Sequence, residues 1–324
     1  MKFTRWWVFG TVALLCAGLQ SVAAQETYPT RPIRLIVQGA AGSGPDLLAR
    51  TVARSLERVW KVAVVIIDQP GAGGLIAAQM AASADPDGYT LYVPTITTFV
   101  ILPQMHDKLP FDLDRDFVPI GVLAQTPMMI AAAPSLGVSS LSELAALARK
   151  RPTDLFYAAN NRGSLPHLAG ELFRDRADAP ITFVPYPGFA AGLTDLMGGR
   201  VSVIVESVGA LASAVKAGTV RPLAVASSTR LTNYPEVPTV AEALPGFAAV
   251  AWLALLAPRG VPTALVRKIS DDLTAALADP ELARQFHDLG AVARPLAPAD
   301  TRAFIRSEQE RWGPVVKQLN LRAQ

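Results

Sequence analysis

The chain has 324 residues, with 30 Lys and Arg against 27 Asp and Glu, and one cysteine. Lys2 and Arg5 precede an apolar run, Trp6–Leu19, and loss of residues 1–24 leaves a formal charge of +1. A near-neutral chain with no block of like charge excludes a nucleic-acid surface, and with Cys16 inside the apolar run, residues 25–324 have neither disulfides nor thiol chemistry.

The charged start, an apolar run too short to span a bilayer and Ser21-Val22-Ala23-Ala24 predict a secretory signal cleaved after Ala24, hence a periplasmic mature chain. Leu14-Leu15 before Cys16 do not fit a lipoprotein site. Residues 25–324 exceed what one core usually organises, so two lobes are expected.

Ile33–Val37 reads as an aliphatic strand, Gly39–Pro45 as a tight loop, and Leu48, Val52, Leu56 and Val59 carry helical spacing. The glycines allow close backbone approach, Ser43 or Gly44 caps the helix, and the helix N-terminus offers N–H donors to a small anion. The order G-x-x-G-x-G is neither the dinucleotide fingerprint nor a phosphate loop. Val62–Ile67 is a buried strand, Asp68–Gly74 a second glycine turn, Leu75–Ala82 a helix, Tyr89–Val93 a strand, and Thr95, Thr97 and Thr98 a hydroxyl-bearing loop. Repeated strand, loop and helix predict a parallel sheet whose loops share one edge.

Pro119–Ala133, interrupted at Thr126-Pro127, is expected to cross into the second lobe, and Ser140–Glu143 is a capping box opening a helix to Lys150. Strands follow at Leu155–Ala159, Ile181–Pro185, Val201–Val205 and Val220–Ala226, with a polar loop at Asn160–His167 and a helix at Gly188–Met197. Leu231–Gly246 reads as a proline-bearing surface connection and Ala249–Ala257 as a strand returning to the first lobe. Helices end the chain, the last with Phe304/Ile305, Trp312, Val315/Val316 and Leu319 on one apolar stripe.

These segments carry a resemblance over nearly all of residues 28–324. QPGAGG (Gln69–Gly74), DPDGYTL (Asp85–Leu91), HLAGELF (His167–Phe173), VPYPG (Val184–Gly188), LTDLMGGRV (Leu193–Val201), RPLAVAS (Arg221–Ser227), VPTVAEALPGF (Val237–Phe247) and LLAPRGVP (Leu255–Pro262) stand in the order found in the receptors of tripartite tricarboxylate transporters, the Bug receptors. The resemblance implies an α/β, two-lobed periplasmic-binding-protein fold of type II-like form, each lobe a sheet flanked by helices, with a hinge and a Venus-flytrap cleft. Lobe 1 is expected over 25–124 and 227–324, and lobe 2 over 125–226. It also implies a small organic carboxylate in the cleft and integral membrane transporter subunits as partners. No cofactor, metal, nucleic acid or catalysis is expected, and a monomer is.

Carried over to this chain, the family's loops fall on Gly39–Asp46, Asn160–His167 and Tyr186–Gly192, with the acidic strand end at Glu206. This chain has Gln38-Gly39-Ala40-Ala41 where the family carries prolines, and Glu206 where Asp is common. The expected ligand-binding residues are Gly42, Ser43, Gly44, Asp46 and Thr95 in lobe 1, and Asn160, Asn161, Ser164, His167, Gly188, Phe189 and Glu206 in lobe 2. Asp46 has two readings, stabilisation of the helix N-terminus or an acceptor for a solute amine or hydroxyl, and Glu206 is treated alike. Arg162 reads as a solvated charge before a carboxylate clamp, and His167 as a packed or capping residue before a proton-transfer group. His106 and His287 have no metal-like spacing with it. Two alternatives to a transport receptor are carried forward, a ligand sensor without transport and an exported hydrolase using Ser164 and His167; no Gly-x-Ser-x-Gly elbow supports the second.

Overall fold

Three aliphatic strands begin the fold: β1 (Ile33–Val37), β2 (Val64–Asp68) and β3 (Thr90–Val93) are parallel and ordered β2-β1-β3. The computed structural model describes residues 28–106 and 108–319, so the expected signal segment, Cys16 and the cleavage point lie outside it. Side chains alternate across a strand, and β1 uses both faces. Ile33, Leu35 and Val37 pack with helices Gly44–Trp60 and Thr263–Leu277, whereas Ile36 joins the core containing Ala77, Ala78 and Ala81 of helix Leu75–Ala82.

A second parallel set, β5 (Phe156–Asn160), β6 (Thr182–Tyr186) and β7 (Val203–Ser207), is ordered β7-β5-β6. The two sets are joined by β4 (Phe117–Ala132), 16 residues long. Phe117–Pro127 runs antiparallel to β9 (Val250–Pro258), and Met128–Ala132 runs antiparallel to β7 on one side and β8 (Arg221–Val225) on the other. The two-residue β10 (Val292–Ala293) pairs with Ala124 and Gln125. At the junction Met128 N donates to Ala249 O (2.9 Å), Ala226 N to Met128 O (2.7 Å) and Ala249 N to Ala226 O (2.9 Å). One uninterrupted strand therefore belongs to both sheets, as the apolar run broken by Thr126-Pro127 predicts. The fold is the two-lobed α/β architecture expected.

Residues 227–249 stay with the second sheet, whereas the expected boundary gives them to the first. Thr239 bridges to Val225, helix Val240–Ala243 packs against helix Leu141–Lys150, and Val237, Val240 and Phe247 are buried. The prolines that made this stretch read as a surface connection shape turns, while its apolar residues fill the core and a capping box, Thr239 with Glu242, starts its short helix.

Strand direction decides where the loops go. β3 ends at a bridge between Thr95 and Leu253, and Leu253 lies opposite Ala124 of β4. β7 runs the other way and ends with Ser207 opposite Met128. The C-terminal ends of β1–β3 and of β5–β7 therefore aim at the junction near residues 125–127 from the two lobes. Ligands of open parallel sheets bind beyond such ends.

Behind the junction, helix Pro298–Gln318 buries Ile305, Trp312 and Val316 and sets Phe304 edge-on to Trp252 of β9, with centroids 5.5 Å apart. Its apolar stripe is the one the spacing predicts. Helix Val208–Lys216 of the second lobe meets the turn after helix Pro280–Asp288 backbone to backbone. A Cβ on Gly209 would lie 1.9 Å from the carbonyl oxygen of Leu289, so only glycine fits there.

Candidate functional site

The two lobes open their first strand-to-helix turns with the same five-residue pattern. Gly42-Ser43-Gly44-Pro45-Asp46 follows β1 and Gly163-Ser164-Leu165-Pro166-His167 follows β5. Gly42 and Gly163 have φ of 79° and 83°, the left-handed region that favours glycine. Ser43 and Ser164 are N-caps at φ −72° and −73°, and in each helix the second residue is a proline, Pro45 or Pro166. Asp46 and His167 then reach back four residues to the glycine N–H: Gly42 N donates to Asp46 Oδ2 at 2.7 Å, and Gly163 N to His167 Nδ1 at 3.1 Å.

Asp46 is bound within its own loop. The side chain is 1% exposed, and its Oδ1 lies 2.6 Å from Arg50 Nε, which also pairs with Asp68. Asp46 ties its own loop together, and the Gly42 N–H is spent on it. Burial and the neighbouring Asp46 carboxylate hold the Asp68 carboxyl above its ordinary range, with Arg50 opposing.

His167 is likewise packed, 2% exposed with its ring 4.1 Å from that of Phe183. Its Nδ1 accepts from Gly163, so the ring proton is on Nε2. Ser164 Oγ accepts from the His167 backbone N at 3.4 Å, a helix cap rather than a link to the imidazole. The arrangement needed to activate Ser164 as a nucleophile is absent between these two residues. Burial, helped by Arg162 and Arg174, lowers the His167 pKa to about 4. The unfolded chain then binds the proton more readily, so this histidine's contribution to stability is complete above pH 6.5 and is lost as the pH falls toward 4. Relative to a His167→Gln variant, the wild type is expected to lose roughly 3 kcal/mol across that window in urea titrations; equal losses would show that His167 is not held neutral.

The helices at these edges differ in how their first turns are satisfied. Ser164 and Ser207 cap helices Leu165–Arg176 and Val208–Lys216 with their side chains. By contrast, helices Gly44–Trp60 and Phe189–Met197 have no side-chain cap, at Ser43 and Gly188 respectively. Ser43 Oγ is buried without a hydrogen-bond partner. Helix Leu75–Ala82, after β2, likewise has no side-chain cap, at Gly74, so each lobe keeps helix starts whose N–H donors no side chain claims, and Gly44 is exposed beside one of them.

Around the second of these, Asn160, Tyr186, Gly188, Phe189, Gly192 and Glu206 line one recess. Asn160 Nδ2 donates to Glu206 Oε2 and Ser207 N donates to Glu206 Oε1, both at 2.7 Å. Glu206 is 7% exposed, and among the described residues no cation pairs with it, so burial pushes its carboxyl up. Asn161 is exposed at the turn, and its carbonyl accepts from Ser164 N at 3.0 Å. Arg162 lies over the Phe183 ring at 5.9 Å. Across the junction, Thr95 is half-buried, and its hydroxyl accepts from Thr97 N at 3.2 Å. The lobes approach at Gly163, where a Cβ would meet Met105 Sδ at 2.9 Å.

The recess therefore gathers Asn160, Gly188, Phe189 and Glu206, while Ser43 and Gly44 stand at the facing edge. Asp46, Ser164 and His167 turn into their own lobes. Gln38, absent from the expected set, lies between three loops of the first lobe. Its Nε2 donates to Gly73 O at 2.8 Å, and its Oε1 accepts from Thr95 N at 3.3 Å and from the Thr98 hydroxyl. A polar side chain ending an aliphatic strand was the available signal. No helix among the described residues is long and apolar enough to cross a membrane.

Comparison with known proteins matches this architecture. BugT of Bordetella pertussis is 33% identical over 320 residues, covering 98% of each chain. The structure of R. palustris Rpa4515 with adipate is similar at a TM-score of 0.82 and 34% identity, covering 90% of this chain and 97% of that one. MatC from Rhodopseudomonas palustris with bound malate is similar at a TM-score of 0.77 and 31% identity, covering 89% and 100%. The profile of the tripartite tricarboxylate transporter family receptor matches residues 48–321, and the chain belongs to that family of receptors.

Proposed function

We propose that this protein is a periplasmic receptor that closes its two lobes on a small organic carboxylate and presents it to integral membrane transporter subunits. The observation that carries the reading is that each lobe has uncapped helix starts, at Ser43 and Gly74 in the first and at Gly188 in the second, on strand edges that aim at one junction. Unclaimed N–H groups at a helix N-terminus attract negative charge without bulk, and one at each end of a solute suits a dicarboxylate. The adipate and malate held by the two R. palustris relatives support the same class. We take the first lobe as 28–127 with 250–319 and the second as 128–249, with the hinge at the β4 junction. Gly44, Ser43, Thr95, Asn160, Gly188, Phe189 and Glu206 are the contacts proposed, and Asn161 stands at the rim.

Thermal unfolding across organic acids, amino acids and aromatic acids tests the reading. A ligand that binds only the native state stabilises it by about 2.7 kcal/mol at a hundredfold excess over its Kd, so adipate, malate or a related acid should raise the melting temperature by several degrees. Ser43→Leu should weaken that acid at least tenfold while the unliganded melting temperature stays in place. Shifts by cationic or apolar compounds alone would refute the anion site. Uptake that persists after deletion of the gene would favour a sensing role over transport.

A further inference from the structure

Gln38 is the last residue before the first glycine loop, half-buried, and its carboxamide is held at three of its four hydrogen-bonding positions. Backbone N–H groups only donate and carbonyls only accept, so Thr95 N and Gly73 O fix which end of the amide is oxygen and which is nitrogen. The surrounding backbone is shaped to the group as well: Gly74 has φ of 100°, and a Cβ there would lie 2.2 Å from Gln38 Cδ. Two donors, one acceptor and a glycine wall make a pocket for a planar carboxamide, and the chain fills it with its own side chain. A carboxylate would satisfy the two donors but meet the Gly73 carbonyl less well than the amide does, so a solute's end group enters only when the Gln38 side chain is gone.

We propose that Gln38 is a specificity-determining residue: its side chain occupies, from within the chain, a carboxamide pocket at the first-lobe end of the cleft, and so limits how deep a solute reaches and how long a solute fits. This deepens the carboxylate-receptor reading and rests on it for the solute. Removing the side chain beyond Cβ frees space for about two carbons and uncovers the Thr95 N–H and Thr98 hydroxyl.

The test is calorimetric titration of wild type, Gln38→Asn and Gln38→Ala with the straight dicarboxylic acids from succinate to suberate. Gln38→Ala should move the preferred chain length up by about two carbons and weaken the acid preferred by the wild type about tenfold, with Gln38→Asn intermediate. An unchanged length profile overturns the inference, provided circular dichroism shows each variant folded. If no acid binds any of the three, the carboxylate reading fails separately. Hydrogen exchange of the unliganded proteins then decides the pocket: faster exchange at Thr95 in Gln38→Ala, slowed again by acetamide, upholds it, and equal exchange overturns it.

Discussion

Replacing Gly209 by alanine is expected to lower the melting temperature by about 2–10 °C and to weaken solute binding more than tenfold. The added carbon would sit 1.9 Å from the Leu289 carbonyl oxygen and 2.7 Å from its carbon, and both are backbone atoms that no rotamer change can move aside. Overpacking of this kind costs about 1–3 kcal/mol when the surroundings shift. Here the shift separates helix Val208–Lys216 from the turn at Leu289-Gly290, which changes how the lobes seat against each other. Differential scanning calorimetry and calorimetric titration with solute check both effects, and small-angle scattering checks the seating of the lobes; an unaltered melting temperature and radius of gyration would mean that the contact is loose in solution.

The second large effect is expected at Glu206, where Gln should tighten adipate relative to malate by about tenfold. Glu206 is a buried carboxylate held by one amide and one backbone N–H, with lone pairs to spare and, among the described residues, no cation paired with it. Such a group repels a plain dianion and accepts from a solute hydroxyl, so its removal favours the acid with no hydroxyl. Because burial raises its pKa, the native state holds the proton longer than the unfolded chain, and Glu206's contribution to stability falls as the pH rises. Glu206→Gln should therefore melt above the wild type at alkaline pH, with the gap closing as the pH falls. Adipate should also bind the wild type more tightly as the pH falls, a dependence the variant lacks. Parallel pH profiles for the two proteins would place the solute away from Glu206.

Much of the fold was legible because its signals are local and repeated. β1, β5 and β9 lie within one residue of their apolar runs, and Thr126-Pro127 marks where β4 changes sheets. What could not be read was pairing at a distance. Residues 227–249 look like a linker by their prolines, yet Thr239 pairs with Val225 and helix Val240–Ala243 packs against helix Leu141–Lys150 beside the second sheet. The site divides on the same line. Ser43 and Gly188 follow from loop chemistry, but Asp46 and His167 were set by partners four residues back, at Gly42 and Gly163. The recurrence of Gly-Ser-x-Pro before both residues would have paired them from the sequence. Gln38 escaped because its meaning lies in Gly73, Thr95 and Thr98, on two other loops.

The interleaving of β9 between β3 and β4 has a bearing on biogenesis. Until residues 250–258 have been made, β3 and β4 each present a bare edge, and Trp252 still waits for Phe304. A nascent chain of this contact order acquires its native tertiary structure late and exposes aggregation-prone strands meanwhile. The first sheet therefore closes only after nearly four-fifths of the chain has been made, so its folding follows synthesis rather than accompanying it.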